Sequence, residues 1–187
     1  MTAAAAGAMR LYVGELRQLF DSLDPAPFRE RDLDPKAAEY IVDSAREAPA
    51  GEALALQVHL GRQPADEGTA ALLSDAVHEY FERRAAVRRR DLRQLFRTGR
   101  LSLLIGLVFL AGAIALAQWL GSLIEHEGYA WLVSESLIIG GWVALWRPME
   151  IFLYDWWPIR ADARLYDRLA AMPVTLRGAD AAAGSAA

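Results

Sequence analysis

Leu101-Ser-Leu-Leu-Ile-Gly-Leu-Val-Phe-Leu-Ala-Gly-Ala-Ile-Ala-Leu-Ala-Gln-Trp-Leu-Gly-Ser-Leu-Ile124 runs for 24 residues without a charged side chain. At about 1.5 Å per helical residue it extends roughly 36 Å, enough to cross a bilayer with some tilt. The loop Glu125-His126-Glu127 follows, and a second apolar run returns from Tyr129 to about Trp146 with one acid, Glu135. Together the two runs predict a membrane α-helical hairpin of two transmembrane helices, joined to a small cytoplasmic α/β domain. Arginines orient it. Arg88, Arg89, Arg90, Arg93, Arg97 and Arg100 precede the first span, Arg147, Arg160, Arg164 and Arg168 follow the second, and the connecting loop has no basic residue. Basic flanks are retained in the cytoplasm, so both termini are expected there, in a multi-pass protein of the bacterial inner membrane.

With about 45 of its 187 residues in lipid, the chain has room for one soluble domain of about 80 residues and no multidomain enzyme. The net charge of −4 conceals a segregation, with eight arginines between Arg83 and Arg100 against only Glu82 and Asp91. There is no cysteine, which excludes disulfides, thiolate metal sites and cysteine nucleophiles. Lys36 is the single lysine, a composition that suggests a GC-rich bacterial genome.

Residues 1–9 read as an Ala-rich tail without the features of a signal peptide, expected to be disordered and retained. The small α/β domain is expected over 10–82, beginning with a short strand at Arg10 to Glu15. Asp34 followed by Pro35 is a helix start, an oxygen acceptor and then a proline where its missing N–H costs nothing. From Ala53 to Leu60 apolar side chains alternate, with Leu54, Leu56, Val58 and Leu60 on one face and Ala55, Gln57 and His59 on the other, as in a half-buried strand. Asp66 to Thr69 can cap a helix that continues through the Arg-rich stretch, 83–100, with Gly99 as its joint. The spans are expected at 101–124 and 129–146. An interfacial aromatic segment, 147–158, is expected to extend the second span or lie flat, followed by a helix and possible strand over 159–177 and a tail, 178–187. Two strands alone are marginal, so Pro173 to Leu176 is expected to add a third, the competing solution being sheet pairing between two copies.

Ala113, Ala117 and Gly121 recur every fourth residue in the first span, as Ser136, Gly140 and Ala144 do in the second. Such stripes permit close helix approach, and pairing Ala117 with Gly140 would bring Gln118 within reach of Glu135. An ionisable group inside a span is costly and usually has a partner or a cavity. Glu135 is thus read as reaching water or Gln118, or, in the functional reading, as handling protons. At the inner boundary Arg147 and Glu150 are spaced for an ion pair, and Tyr154, Asp155, Trp156 and Trp157 have interfacial composition. Attraction of Arg88, Arg89, Arg90, Arg93, Arg97 and Arg100 to anionic lipid suffices for the basic run, and nucleic acid is not expected as a partner. His59, His78 and His126 are isolated, so no metal is assigned. No phosphate loop, dinucleotide glycine pattern or nucleophile elbow is present, and no cofactor or catalytic residue is assigned. An enzyme acting on lipid through Glu150 or Asp155 would lack a nucleophile.

The runs Leu19-Phe-Asp-Ser-Leu-Asp-Pro-Ala-Pro-Phe28, Asp32-Leu-Asp34, Tyr40-Ile-Val42, His78-Glu-Tyr-Phe81 and Trp146-Arg-Pro-Met-Glu-Ile-Phe-Leu-Tyr-Asp-Trp-Trp-Pro-Ile159 resemble a family of uncharacterised bacterial two-span inner-membrane proteins. The resemblance implies membrane placement and no activity. The expectation is a non-enzymatic scaffold or accessory subunit whose partners are membrane lipids and further copies or another protein. The alternative is a small transport or proton-pathway component using Glu135.

Overall fold

Alternation in the Leu54 to Leu60 run decides the unit that holds the sheet. A computed structural model of the chain describes residues 8–21, 32–49, 51–62, 66–123 and 127–178. In order come β1 (Ala8–Val13), a 3-10 turn (Leu16–Leu19), α1 (Pro35–Glu47), β2 (Ala55–Leu60), α2 (Glu67–Leu123), α3 (Glu127–Glu150), a π-helical turn (Ile151–Asp155), α4 (Trp156–Ala170) and β3 (Val174–Arg177). The chain is mostly helical, with one three-stranded parallel sheet ordered β1-β2-β3. It divides into two units, Met1–Val87 with Asp162–Ala187, and Arg88–Ala161. Residues 1–7 and 179–187 of the expected tails, and Glu125 and His126 of the loop, lie outside the described residues.

In the first unit Leu56, Val58 and Leu60 are buried at the centre of the sheet. Register places Met9 and Val174 beside Leu56, and Leu11 and Leu176 beside Val58. This face joins one core with Ala38, Ile41 and Ala45 of α1, Leu73, Val77 and Phe81 of α2, and Tyr166 and Leu169 of α4. β1 begins at Ala8 rather than Arg10, because Met9, only 6% exposed, completes that core instead of ending a tail. Asp34 caps α1, accepting from the N–H groups of Lys36 (3.0 Å) and Ala37 (3.2 Å). Asp66 does the same for α2 through Thr69 N–H, and hydrogen bonds from the Thr69 side chain and then its N–H hold the carboxyl below the usual range. The C-terminal segment is tied in by its backbone: Leu56 N–H donates to Pro173 O (2.9 Å), and His78 Nε2 meets Met172 O at 2.7 Å.

In the second unit α2 and α3 pack through glycines. A Cβ on Gly106 would lie 2.8 Å from Leu145 Cδ2 and 3.2 Å from Ala144 O, and one on Gly141 would lie 2.5 Å from Leu110 Cδ1. One on Gly99 would lie 2.8 Å from Ile151 Cγ2. Gly99 is therefore a packing position inside a continuous helix and not a joint. In an antiparallel pair these contacts set one register, with Gly106 opposite Leu145 and Leu110 opposite Gly141. The expected pairing of Ala117 with Gly140 and Ala113 with Ala144 is corrected by six residues. Gly140 is exposed, with nothing within 4 Å of an added Cβ, and Ser136 is exposed, its hydroxyl donating to Leu132 O (2.8 Å). Ala113 and Ala117 are buried as expected of a packed stripe, and Ala144 is half-buried. The surroundings of Gly121 lie outside the description.

Two helices, within Glu67–Leu120 and Trp131–Ala170, are long and apolar enough to cross a membrane, and only 17% and 22% of their most apolar windows are buried. The second apolar helix does not stop at Trp146 but runs to Glu150 and, through the π-helical turn, into α4.

Two outcomes test this fold. Gly141→Ala should destabilise the hairpin by about 1–3 kcal/mol through overpacking, whereas Gly140→Ala should leave its thermal melt in detergent unchanged. Deleting Met172 onward removes β3, and amide-exchange protection of Ala55–Leu60 should fall.

Candidate functional site

Pro148 shapes the region after the second apolar run. It has no N–H to give the carbonyl of Ala144, four residues back, and the helix winds into a π turn at Ile151–Asp155 shortly afterwards. This packs the polar groups expected at the boundary into one cluster. Arg147 Nη1 lies 3.1 Å from Glu150 Oε2 and 3.3 Å from Asp155 Oδ2. Glu150 also accepts from Trp146 Nε1 (2.9 Å). Trp156 donates to Phe152 O (3.0 Å), lies beside Phe96 at 6.4 Å, and carries Arg160 over its ring at 5.5 Å. Trp146, Tyr154 and Trp157 are exposed. Both carboxylates are engaged by the same guanidinium, so neither stands as an unopposed base. The geometry suits anchoring of exposed aromatic rings beside neutralised charge.

On α2 the basic residues leave two open depressions. One, about 620 Å³, is lined by Arg90, Arg93, Gln94, Arg97, Thr98 and Leu101, and the other, about 670 Å³, by Arg93, Phe96, Arg97 and Arg100. Arg88 pairs with Asp91 at 3.4 Å, while Arg93 and Arg100 donate from Nε to the carbonyls of Arg89 and Phe96, both at 3.3 Å. Backbone donation uses only one of each guanidinium's donor groups, and the fork stays available to anions.

Glu135 and Gln118 are both exposed on the hairpin surface. The expected Gln118–Glu135 contact belonged to the other register. No group of three His, Asp or Glu able to hold a metal occurs among the described residues.

A further cluster was not singled out from sequence. The sheet face opposite the core carries Tyr12, His59 and Arg177 in one cross-strand row, and Arg10, Gln57 and Thr175 in the next. Tyr12 stacks on His59, ring centroids 4.7 Å apart at 19°, and His59 Nε2 is buried without a hydrogen-bond partner. The signal in the sequence was a glycine directly after each strand, at Gly14, Gly61 and Gly178.

Compared with known protein families, curated proteins and solved structures, the chain matches none.

Burial, then the positive charges of Arg177 and Arg10, hold the His59 imidazole below its usual 6.5. The unfolded chain therefore binds that proton more readily, and stability rises with pH across the window. The contribution is present above 6.5 and is lost as pH falls through it. His59→Gln should flatten this step in the melting temperature measured from about pH 7.5 down to 5.5.

Proposed function

We propose that this is a non-enzymatic integral protein of the bacterial inner membrane, a scaffold or accessory subunit whose hairpin anchors a small cytoplasmic domain. One observation carries the reading: the apolar side chains of the hairpin point outward, with Val108 65% and Val143 67% exposed and Leu104, Ile105, Phe109 and Trp142 alike. A contiguous surface of this kind is far larger than a water-soluble monomer exposes, and hydrocarbon is the solvent that suits it. The arginines before the first apolar run and the aromatic cluster after the second support a crossing with both termini in the cytoplasm. The domain's partners are further copies of the chain or another protein, and anionic lipid meets the arginine depressions of α2.

Since the chain has no cysteine, single cysteines report topology cleanly. In intact cells a membrane-impermeant maleimide should label His126→Cys and leave Arg62→Cys unlabelled until the inner membrane is opened. The reverse pattern would overturn the orientation.

Exposure of Glu135 favours a second reading. A carboxylate on the outer surface of a span costs a few kcal/mol, and a second copy packed over it would relieve that cost and create a polar path for protons. Proton flux in liposomes that disappears in Glu135→Gln would support this reading over the anchor. A stoichiometric protein partner with no flux would support the anchor.

A further inference from the structure

The open face of the sheet breaks a general habit, since parallel sheets are normally covered on both faces. Here Arg10, Tyr12, Thr175 and Arg177 are exposed, and Tyr12 is 71% so. What the face displays is specific: an exposed aromatic ring stacked on an imidazole, two arginines and no acid among its strand residues, and one buried nitrogen on His59 lacking a partner. All three strands run the same way, so their carboxyl ends meet at one edge. A cavity of about 430 Å³ opens there, lined by Tyr12, Gly14, His59, Leu60, Gly61 and Gly178 among others. Ligands of open α/β sheets sit at the carboxyl ends of the strands, and this volume is within the usual range for small-molecule sites.

Glycine gives the cavity its room and its floor. Gly61 N–H donates to Val13 O (2.9 Å) and Arg62 N–H to Gly14 O (3.2 Å), so the β1–β2 backbones stay in close contact past the last strand residues. A Cβ on Gly61 would lie 3.7 Å from Gly14 Cα. The N–H of Gly14 is taken by Gln18 Oε1 at 2.9 Å. The N–H groups of Gly14 and Gly61 are thus both engaged within the chain.

The chemistry of those side chains selects the occupant. Two arginines without an acid call for an anion. An exposed tyrosine ring extending an aromatic stack calls for a planar group, because stacking on such rings is what holds nucleobases on proteins that bind them. The unpartnered His59 Nε2 calls for one hydrogen bond. A protein partner fits poorly: strands about 4.8 Å apart and four to six residues long make a face of about 250 Å², against about 800 Å² per partner in a stable interface. We propose that the carboxyl-end cavity of the sheet binds a nucleotide, with Tyr12 stacking its base and His59 completing the contact, while Arg177, beside His59 in the register and next to Gly178 of the lining, and Arg10 of the neighbouring row supply from outside the lining the positive charge that its phosphate meets.

The test uses the full chain in detergent or nanodiscs, titrated calorimetrically with the four ribonucleoside 5′-monophosphates and with ribose 5-phosphate and inorganic phosphate as base-free probes. At least one monophosphate should bind about tenfold or more tighter than ribose 5-phosphate. Tyr12→Ala should erase that advantage, Tyr12→Phe should keep it, and Arg177→Ala should weaken nucleotide and ribose 5-phosphate alike. Both side chains are exposed, so circular dichroism should show the variants folded. Should Tyr12→Ala fail to fold, the Tyr12→Phe and Arg177→Ala pair still reads the two halves of the site. Equal affinity for base-bearing and base-free phosphates, no binding of any monophosphate, or a base advantage that survives Tyr12→Ala would each overturn the assignment.

Discussion

A backbone polar group away from water must find its partner within the protein, and Pro148 removes the donor that the carbonyl of Ala144 would otherwise have. At the same level Gly106 brings α2 close enough that Ala144 O lies 3.2 Å from where its Cβ would be. Without a side chain, the Cα hydrogens of Gly106 can face that oxygen, a weak contact that recurs at helix–helix interfaces. A larger residue would push against Leu145 and leave the carbonyl bare. Gly99, Gly106 and Ala113 on α2 and Gly141 and Pro148 on α3 are seven apart, the spacing that keeps one seam facing its partner along a helix pair. Register in the hairpin thus depends on where small residues meet large ones: Gly141 receives Leu110, Gly106 receives Leu145 and Gly99 receives Ile151.

The two long apolar helices, the Asp34 cap, the central strand and the need for a third strand were legible because each depends on a local pattern. The register of the hairpin was not. Ala113, Ala117 and Gly121 form an obvious every-fourth stripe, but each step of four advances about 40° around the helix, so the stripe leaves the seam within a few turns. Alternating steps of four and three hold the seam, and that rhythm is Gly99, Leu103, Gly106, Leu110, Ala113, Ala117. On the second helix the adjacent pair Gly140-Gly141 offered two choices. Only the contact with Leu110 distinguishes them.

The sheet face was illegible for another reason. Tyr12, His59 and Arg177 are remote in sequence and become neighbours only through parallel pairing in a particular register. Reading the last strand as Pro173 to Leu176 stopped one residue short of Arg177, which supplies the row's charge. His59 read as an isolated histidine on the polar side of a strand. That description was accurate for the strand alone and missed the ring stacked against it from the next one.

Charge closes the argument about which surfaces meet which solvent. Residues 88–161 hold 8 basic and 6 acidic side chains, net +2, while the remainder of the chain holds 12 and 18, net −6. Within the first set the positive charge is concentrated before Leu101, whereas the carboxylates of Glu150 and Asp155 are both drawn to Arg147. Exposed ion pairs of this kind are worth little to stability in water, about 0–1 kcal/mol. Their effect is on the chemistry of the surface: they leave the tryptophan cluster close to neutral, so that its rings and not its acids meet the surroundings. The arginines of α2 have a single acid, Asp91, among them and remain a net positive surface. The two ends of the hairpin's apolar runs thus differ, one carrying net positive charge and the other exposed aromatic area.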